Sequence, residues 1–135
     1  MRVLLCLQKE GLVDGYDSVN TPDDLNNILS AQATEINCEN TLDFVKNKDA
    51  VLREIVSKLR KGGRLLIKGD DLEEVSRAVT NGFLKVDDAI NMLYSGRTST
   101  STIALVMQTL TGYGLNILNV RLSGVEYFIS SERPQ

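Results

Sequence analysis

Glu35, Asn37, Glu39 and Asp43 are the side chains whose types and closeness could do chemistry, because carboxylates and an amide can hold a ligand hydroxyl or amine by strong hydrogen bonds. They cluster at the carboxyl end of a short expected strand, Ala33–Cys38, in which Ile36 is flanked by polar residues, and an open α/β sheet offers that end to ligands. The same pattern also fits solvated loop carboxylates, which any protein surface carries, and the residues alone favour that plainer reading. Gly11 and Gly15 match no phosphate-binding loop and read as turn glycines. Thr98–Thr102 is a run of hydroxyl side chains with no base beside it, so it reads as a helix cap before Ile103 rather than as a nucleophile. Cys6 and Cys38 fit no zinc spacing and read as buried, reduced core thiols.

The chain contains no histidine among its 135 residues. This removes the side chain best suited to proton transfer near neutral pH and the commonest metal ligand. No catalytic residue and no metal ligand set can therefore be assigned. Arg53, Lys58, Arg60, Lys61, Arg64 and Lys68 form the densest basic stretch. Glu54, Asp70 and Asp71 dilute it and no stacking aromatics interleave, so no nucleic-acid partner is expected. The net charge is −3, with 42% hydrophobic and 24% charged residues, an ordinary globular composition. No stretch approaches the roughly 18 apolar residues of a membrane span, and no signal peptide is recognisable, so a cytoplasmic protein without membrane partners is expected.

The elements that must position these residues follow from periodicity. Arg2–Leu7 is a nearly continuous apolar run, as in a strand buried on both faces. Tyr16–Val19 is an edge strand at most. Thr21-Pro22-Asp23-Asp24 starts a helix, with a hydroxyl cap, proline in the first turn and carboxylates at the positive end of the dipole; Leu25, Ile28 and Leu29 are its stripe. From about Lys48, Val51, Leu52, Ile55, Val56 and Leu59 share one helical face, and Gly62-Gly63 suggests a left-handed cap before the strand Arg64–Lys68. Asp70 or Asp71 caps a helix with Leu72, Val75 and Val79, ended by Gly82. Val86, Ala89, Ile90 and Leu93 mark another helix, and Ile103, Val106, Met107 and Leu110 a third. Leu118, Val120 and Leu122, then Val125, Tyr127 and Ile129, alternate around Ser123-Gly124 as a closing β-hairpin. Arg133-Pro134-Gln135 reads as a frayed end. Strands alternating with helices give a single domain over 1–135: a three-layer α/β fold with a mostly parallel sheet and a C-terminal antiparallel hairpin. Strands are expected at 2–7, 33–38, 64–68, 116–122 and 125–130. Leu4, Leu5, Ile36, Leu52, Ile55, Leu59, Leu66 and Ile67 are expected in the core.

From Ala33 onward the chain resembles small class I S-adenosylmethionine-dependent methyltransferases of bacteria and phages. Leu42-Asp43-Phe44-Val45 stands where they carry Leu-Glu-His. Leu59-Arg60-Lys61-Gly62-Gly63-Arg64-Leu65-Leu66-Ile67 is similar to their helix-to-fifth-strand passage, and Asp71–Ala78 with Ala89–Gly96 to the insertion that follows. At the amino end the resemblance breaks. Leu7 and Gln8 stand where glycines would let cofactor approach bare backbone, Asn20 stands where an acid would hold the ribose, and only twelve residues separate Asn20 from Ala33.

The resemblance thus implies a Rossmann-like fold with a shortened N-terminal part, a degenerate cofactor site and no bound cofactor. It also implies a non-catalytic binding or structural protein, such as a phage virion or assembly component. The enzyme-side reading is a minimal methyltransferase, or a regulatory subunit of one. Had a cofactor site been retained, Gly11, Asn20 and Glu39 would be its contacts. The expected partner is a protein, or a second copy, meeting a sheet edge. Lys or Pro placed within Leu118–Val120 is expected to weaken that association more than charge reversal at Glu35 or Glu39.

Overall fold

Alternation along three neighbouring strands sets the core. In strand β3 (Ala33–Glu39), Ala33, Ile36 and Cys38 are buried, and in β4 (Leu59–Asp70), Leu65, Ile67 and Gly69 are. In β6 (Glu126–Glu132), Tyr127, Ile129 and Ser131 are buried. Register puts these on one face, since Ile36 pairs with Leu65, Cys38 with Ile67, Ile67 with Ile129 and Gly69 with Tyr127. The period of two along each strand therefore buries one side of the sheet. This computed structural model describes residues 2–5, 17–19, 28–39, 42, 47–94 and 101–135.

Six strands form one sheet in the order β2-β1-β3-β4-β6-β5, where β1 is Arg2–Leu5, β2 is Asp17–Val19 and β5 is Asn116–Ser123. β2, β1, β3 and β4 are parallel to one another, and β6 runs antiparallel between β4 and β5. Helix α1 (Lys48–Lys58) and helix α4 (Ile103–Gly112) cover the apolar face, placing Leu52, Ile55, Val106 and Leu110 in the same cluster as the strand residues. Helices α2 (Leu72–Thr80) and α3 (Val86–Tyr94) lie between β4 and α4 in the chain. The parallel sheet and the hairpin agree with the sequence reading. The helix expected from Thr21 lies outside the described residues except at its expected end, where Ile28 and Leu29 are not helical; Ile28 is buried and Leu29 exposed.

The structure departs from the sequence expectations at several positions. Leu66 is only half-buried, and Leu65 takes the core position; Leu4 and Leu5 have no described side-chain environment. Of the α2 stripe only Val75 is buried, and of α3 only Ala89, while Val86 and Ile90 face solvent. Val125 belongs to the turn. Ser123 pairs with Glu126, so Gly124-Val125 is the two-residue loop, with φ +62° at Gly124 alone, the signature of a type II′ turn.

The Gly62-Gly63 pair does not cap α1. The helix ends at Lys58, and Leu59 is already extended and paired with Ala33. Between Leu59 and Arg64 the register slips, and the glycines lie in that irregular stretch. A β-carbon on Gly63 would stand 2.8 Å from the Arg60 carbonyl oxygen and 3.0 Å from that of Ala33. Backbone, not a flexible side chain, fills that space, so the sequence signal marks a close approach rather than a cap.

The carboxyl end is not frayed either. The Arg133 N–H donates to the Gly63 carbonyl at 2.9 Å, and Gly62 donates to the Arg133 carbonyl at 2.7 Å. The Arg133 guanidinium donates to the carbonyls of Val56 and Leu59, supplying a cation at the negative end of α1. Arg133→Ala should cost about 1.5–3 kcal/mol, the range for hydrogen bonds made by a charged group. Urea denaturation checks this, and an unchanged midpoint would show that the contact carries no stability.

Candidate functional site

In this strand order the chain reverses direction across the sheet between β1 and β3. β2 follows β1 on one side, while β4 follows β3 on the other. Open α/β sheets bind ligands outside the carboxyl ends of the strands at such a point. The residue that β3 delivers there is Glu39. It is half-buried and accepts a hydrogen bond from the Asn37 side chain at 3.4 Å.

Glu35 and Asn37 are not loop residues, as the plainer sequence reading had them. With Glu39 they occupy alternate positions of β3, on the side opposite the buried Ile36 and Cys38. Glu35 lies nearer the amino end, where it forms an ion pair with Arg2 at 2.9 Å. Of the candidates that the sequence offers, the structure thus leaves Glu39 at the carboxyl edge. Gly11, Asn20 and Asp43 lie outside the described residues, as do Leu7, Gln8 and Phe44.

At the same edge, just past β4, stands Asp71, which is 5% exposed. One carboxylate oxygen accepts from the backbone N–H groups of Glu73 at 2.8 Å and Glu74 at 3.3 Å, capping α2. The other accepts from the N–H of Ile103 at 3.2 Å, the first residue of α4. Two helix N-termini therefore converge on a single carboxylate, an arrangement favoured by both dipoles. Thr102 completes the α4 cap by accepting from the Leu105 N–H at 3.3 Å, as the hydroxyl run led us to expect. The sequence anticipated the α2 cap, but the link to α4 spans 32 positions and leaves no local signal.

On the sheet face opposite α1 and α4 lies a groove of about 340 Å³, running from Asn37 and Glu39 across Leu66 and Lys68 to Arg121 and Phe128. The Arg121 guanidinium stacks 4.6 Å from the centre of the Phe128 ring, and the Lys68 ammonium sits 5.7 Å from it. Lys68 also pairs with Glu126 at 3.3 Å. Sequence reasoning missed this constellation because its members come from three strands that only the register aligns. The basic stretch is divided among elements, Lys58 being buried beside Glu54 at 3.3 Å while Lys68 faces the groove.

Chemically, the described part of the site offers binding groups. Cys38 is fully buried in the core. Asp71 is engaged by three backbone donors. No group of three His, Cys, Asp or Glu side chains that could hold a metal is found among the described residues. Among those residues there is also no helix long and apolar enough to cross a membrane. An S-adenosylmethionine-sized ligand would need a bare-backbone turn and an acid for its ribose. The turn after β1 lies outside the described residues; at the carboxyl edge these include Glu39, and Asp71, which is taken up by backbone donors.

No family model matches the sequence, and no curated protein does. Solved structures do match the fold. An S-adenosylmethionine-dependent methyltransferase from Thermotoga maritima superimposes with a TM-score of 0.63 at 17% identity, covering 88% of this chain and 65% of that one. An S-adenosylmethionine-dependent methyltransferase from Mesorhizobium loti gives 0.64 at 14% identity, covering 97% and 80%. A chain from the complex between the Trm112 methyltransferase activator of Haloferax volcanii and a candidate methyltransferase gives 0.63 at 12% identity, covering 93% and 65%. This chain thus spans about two-thirds of the Thermotoga and Haloferax chains. At these identities the likeness shows the fold: a methyltransferase-like Rossmann sheet.

Proposed function

We propose that this chain serves S-adenosylmethionine-dependent methyl transfer as an accessory subunit, a methyltransferase-fold module that works beside a catalytic chain. The observation that carries the reading is the contrast at the carboxyl edge. The strand order that builds the switch point is intact, yet two of the described carboxylates at this edge are already held by the protein, Asp71 by two helix N-termini and Glu39 by Asn37. Leu7 and Gln8 in place of turn glycines point the same way. The fold persists without chemistry because its core is set by apolar pattern, whereas catalysis sits in loops that can be replaced. The likeness to a chain from a complex with a methyltransferase activator supports a partnered mode of action.

The test is thermal unfolding with S-adenosylmethionine or its demethylated product. A ligand at a hundred times its dissociation constant adds about 2.7 kcal/mol, which a melting curve registers easily. The isolated chain should show no shift at millimolar ligand. A co-expressed class I methyltransferase from the same source should transfer methyl groups faster with the chain than without it. Equal rates would remove the accessory role. A clear shift of the isolated chain would instead favour the second reading, a minimal methyltransferase, which rests on the position of Glu39 at the switch point. Glu39→Gln should then weaken binding several-fold, with Gly11 and Asn20 as the remaining contacts.

A further inference from the structure

The sheet ends in two unlike edges. At one side is β2, three residues long and opening with Asp17. Brevity and charge are the usual protections of a strand edge. At the other side is β5, eight residues long, which pairs only with β6 among the described residues. It contains no proline and no lysine, and Arg121 is its one charge. From Asn119 to Ser123 its ladder with β6 is regular, the bulge being confined to Ile117–Asn119. Leu118, Val120 and Leu122 are 47%, 37% and 46% exposed. Val120 and Leu122 stand opposite the buried Ile129 and Tyr127, so the apolar surface of the sheet continues to its rim and stops there uncovered.

We infer that β5 is a homodimer interface, in which the strands of two copies pair antiparallel about a two-fold axis at Val120. The occupant is a second copy of this chain because β5 is complementary to itself in one register. With the axis at Val120, Leu118 lies opposite Leu122 of the partner subunit and Arg121 opposite Asn119 of the partner subunit. Apolar side chains then meet apolar ones, and no like charges face each other. Moving the axis by one residue to Arg121 sets two guanidinium groups face to face. Moving it to Leu122 brings Gly124 into the pairing and shortens the matched segment. A two-fold contact is isologous, so one self-complementary patch suffices to close it. The product is a continuous sheet of twice six strands. A strand-edge contact is at the small end of interfaces, below roughly 1,200 Å² in total, so the dimer should depend on concentration. Such a dimer would form whether or not the chain acts as an accessory subunit.

Sedimentation equilibrium from micromolar to millimolar protein tests it. The expected mass rises from 14.9 kDa to twice that value. Val120→Lys should move the midpoint up by about tenfold or more, since two ammonium groups then face each other across the axis. Val120→Glu should do the same. An equimolar mixture of the two variants should restore association, which a merely folding-related defect would not. Circular dichroism and the melting temperature confirm that each variant is folded; Val120 is exposed enough to tolerate both. A wild-type chain that stays monomeric at millimolar concentration would overturn the inference. So would a dimer whose midpoint is unmoved by V120K but raised by Ile90→Lys, which would place the contact on the exposed face of α3 instead.

Discussion

Ile55→Ala should destabilise the domain by about 2–5 kcal/mol, and Leu65→Ala by a similar amount, while Leu66→Ala should cost about 1 kcal/mol. Ile55 and Leu65 are fully buried in one cluster, Ile55 from α1 and Leu65 from the middle of β4. Removing either leaves a void between helix and sheet that neighbouring strands, held by their ladders, cannot close. Leu66 points the other way and lines the open groove, so its truncation removes area already partly in contact with water. Native domains are stable by only about 5–15 kcal/mol, so the two core variants should shift the urea midpoint strongly, and the larger cost could unfold the chain outright. Equal midpoints for Leu65→Ala and Leu66→Ala would contradict the sidedness assigned to β4.

Asp71→Ala should cost about 2–4 kcal/mol, combining a lost helix cap of roughly 0.5–2 kcal/mol with the penalty for buried N–H groups left without acceptors. Three backbone donors on two helices lose their partner at once. Asp71→Asn separates the two roles. Its amide oxygen can still cap α2, but the NH₂ group that replaces the second oxygen donates and cannot accept from the Ile103 N–H. The Asn variant should therefore fall between wild type and Ala. Hydrogen exchange should localise the residual loss to the first turn of α4. If Asn and Ala are equally destabilising, or if α2 rather than α4 loosens in the Asn variant, the bridging role assigned to the second oxygen is wrong.

What the sequence determined by itself was encoded over short distances. The stripe of Leu52, Ile55 and Leu59 announced α1, although Leu59 serves the core as the first residue of β4. Thr102 and Asp71 announced their caps, and Gly124 announced the turn of the closing hairpin. These signals are legible because a cap, a stripe or a two-residue turn is satisfied by neighbours within about one helical turn or one strand pair. The parallel sheet followed from the alternation of such elements, and the position of Glu39 at a carboxyl edge followed from the sheet.

Tertiary structure decided the rest, for one recurring reason: a residue's partner was distant in the chain. Leu65-Leu66-Ile67 is an unbroken apolar run, and nothing within it says which face meets α1 and α4. Gly62-Gly63 looks like a helix cap locally, but the Ala33 carbonyl and the Arg133 backbone turn it into a site of close approach. The apolar residues of β5 alternate as those of a half-buried strand should, yet the sheet ends there and leaves them uncovered. The Lys68, Arg121 and Phe128 grouping exists only because β4, β6 and β5 align in that register. Periodicity in a sequence states that a face is apolar; only the assembled chain determines what, if anything, covers it.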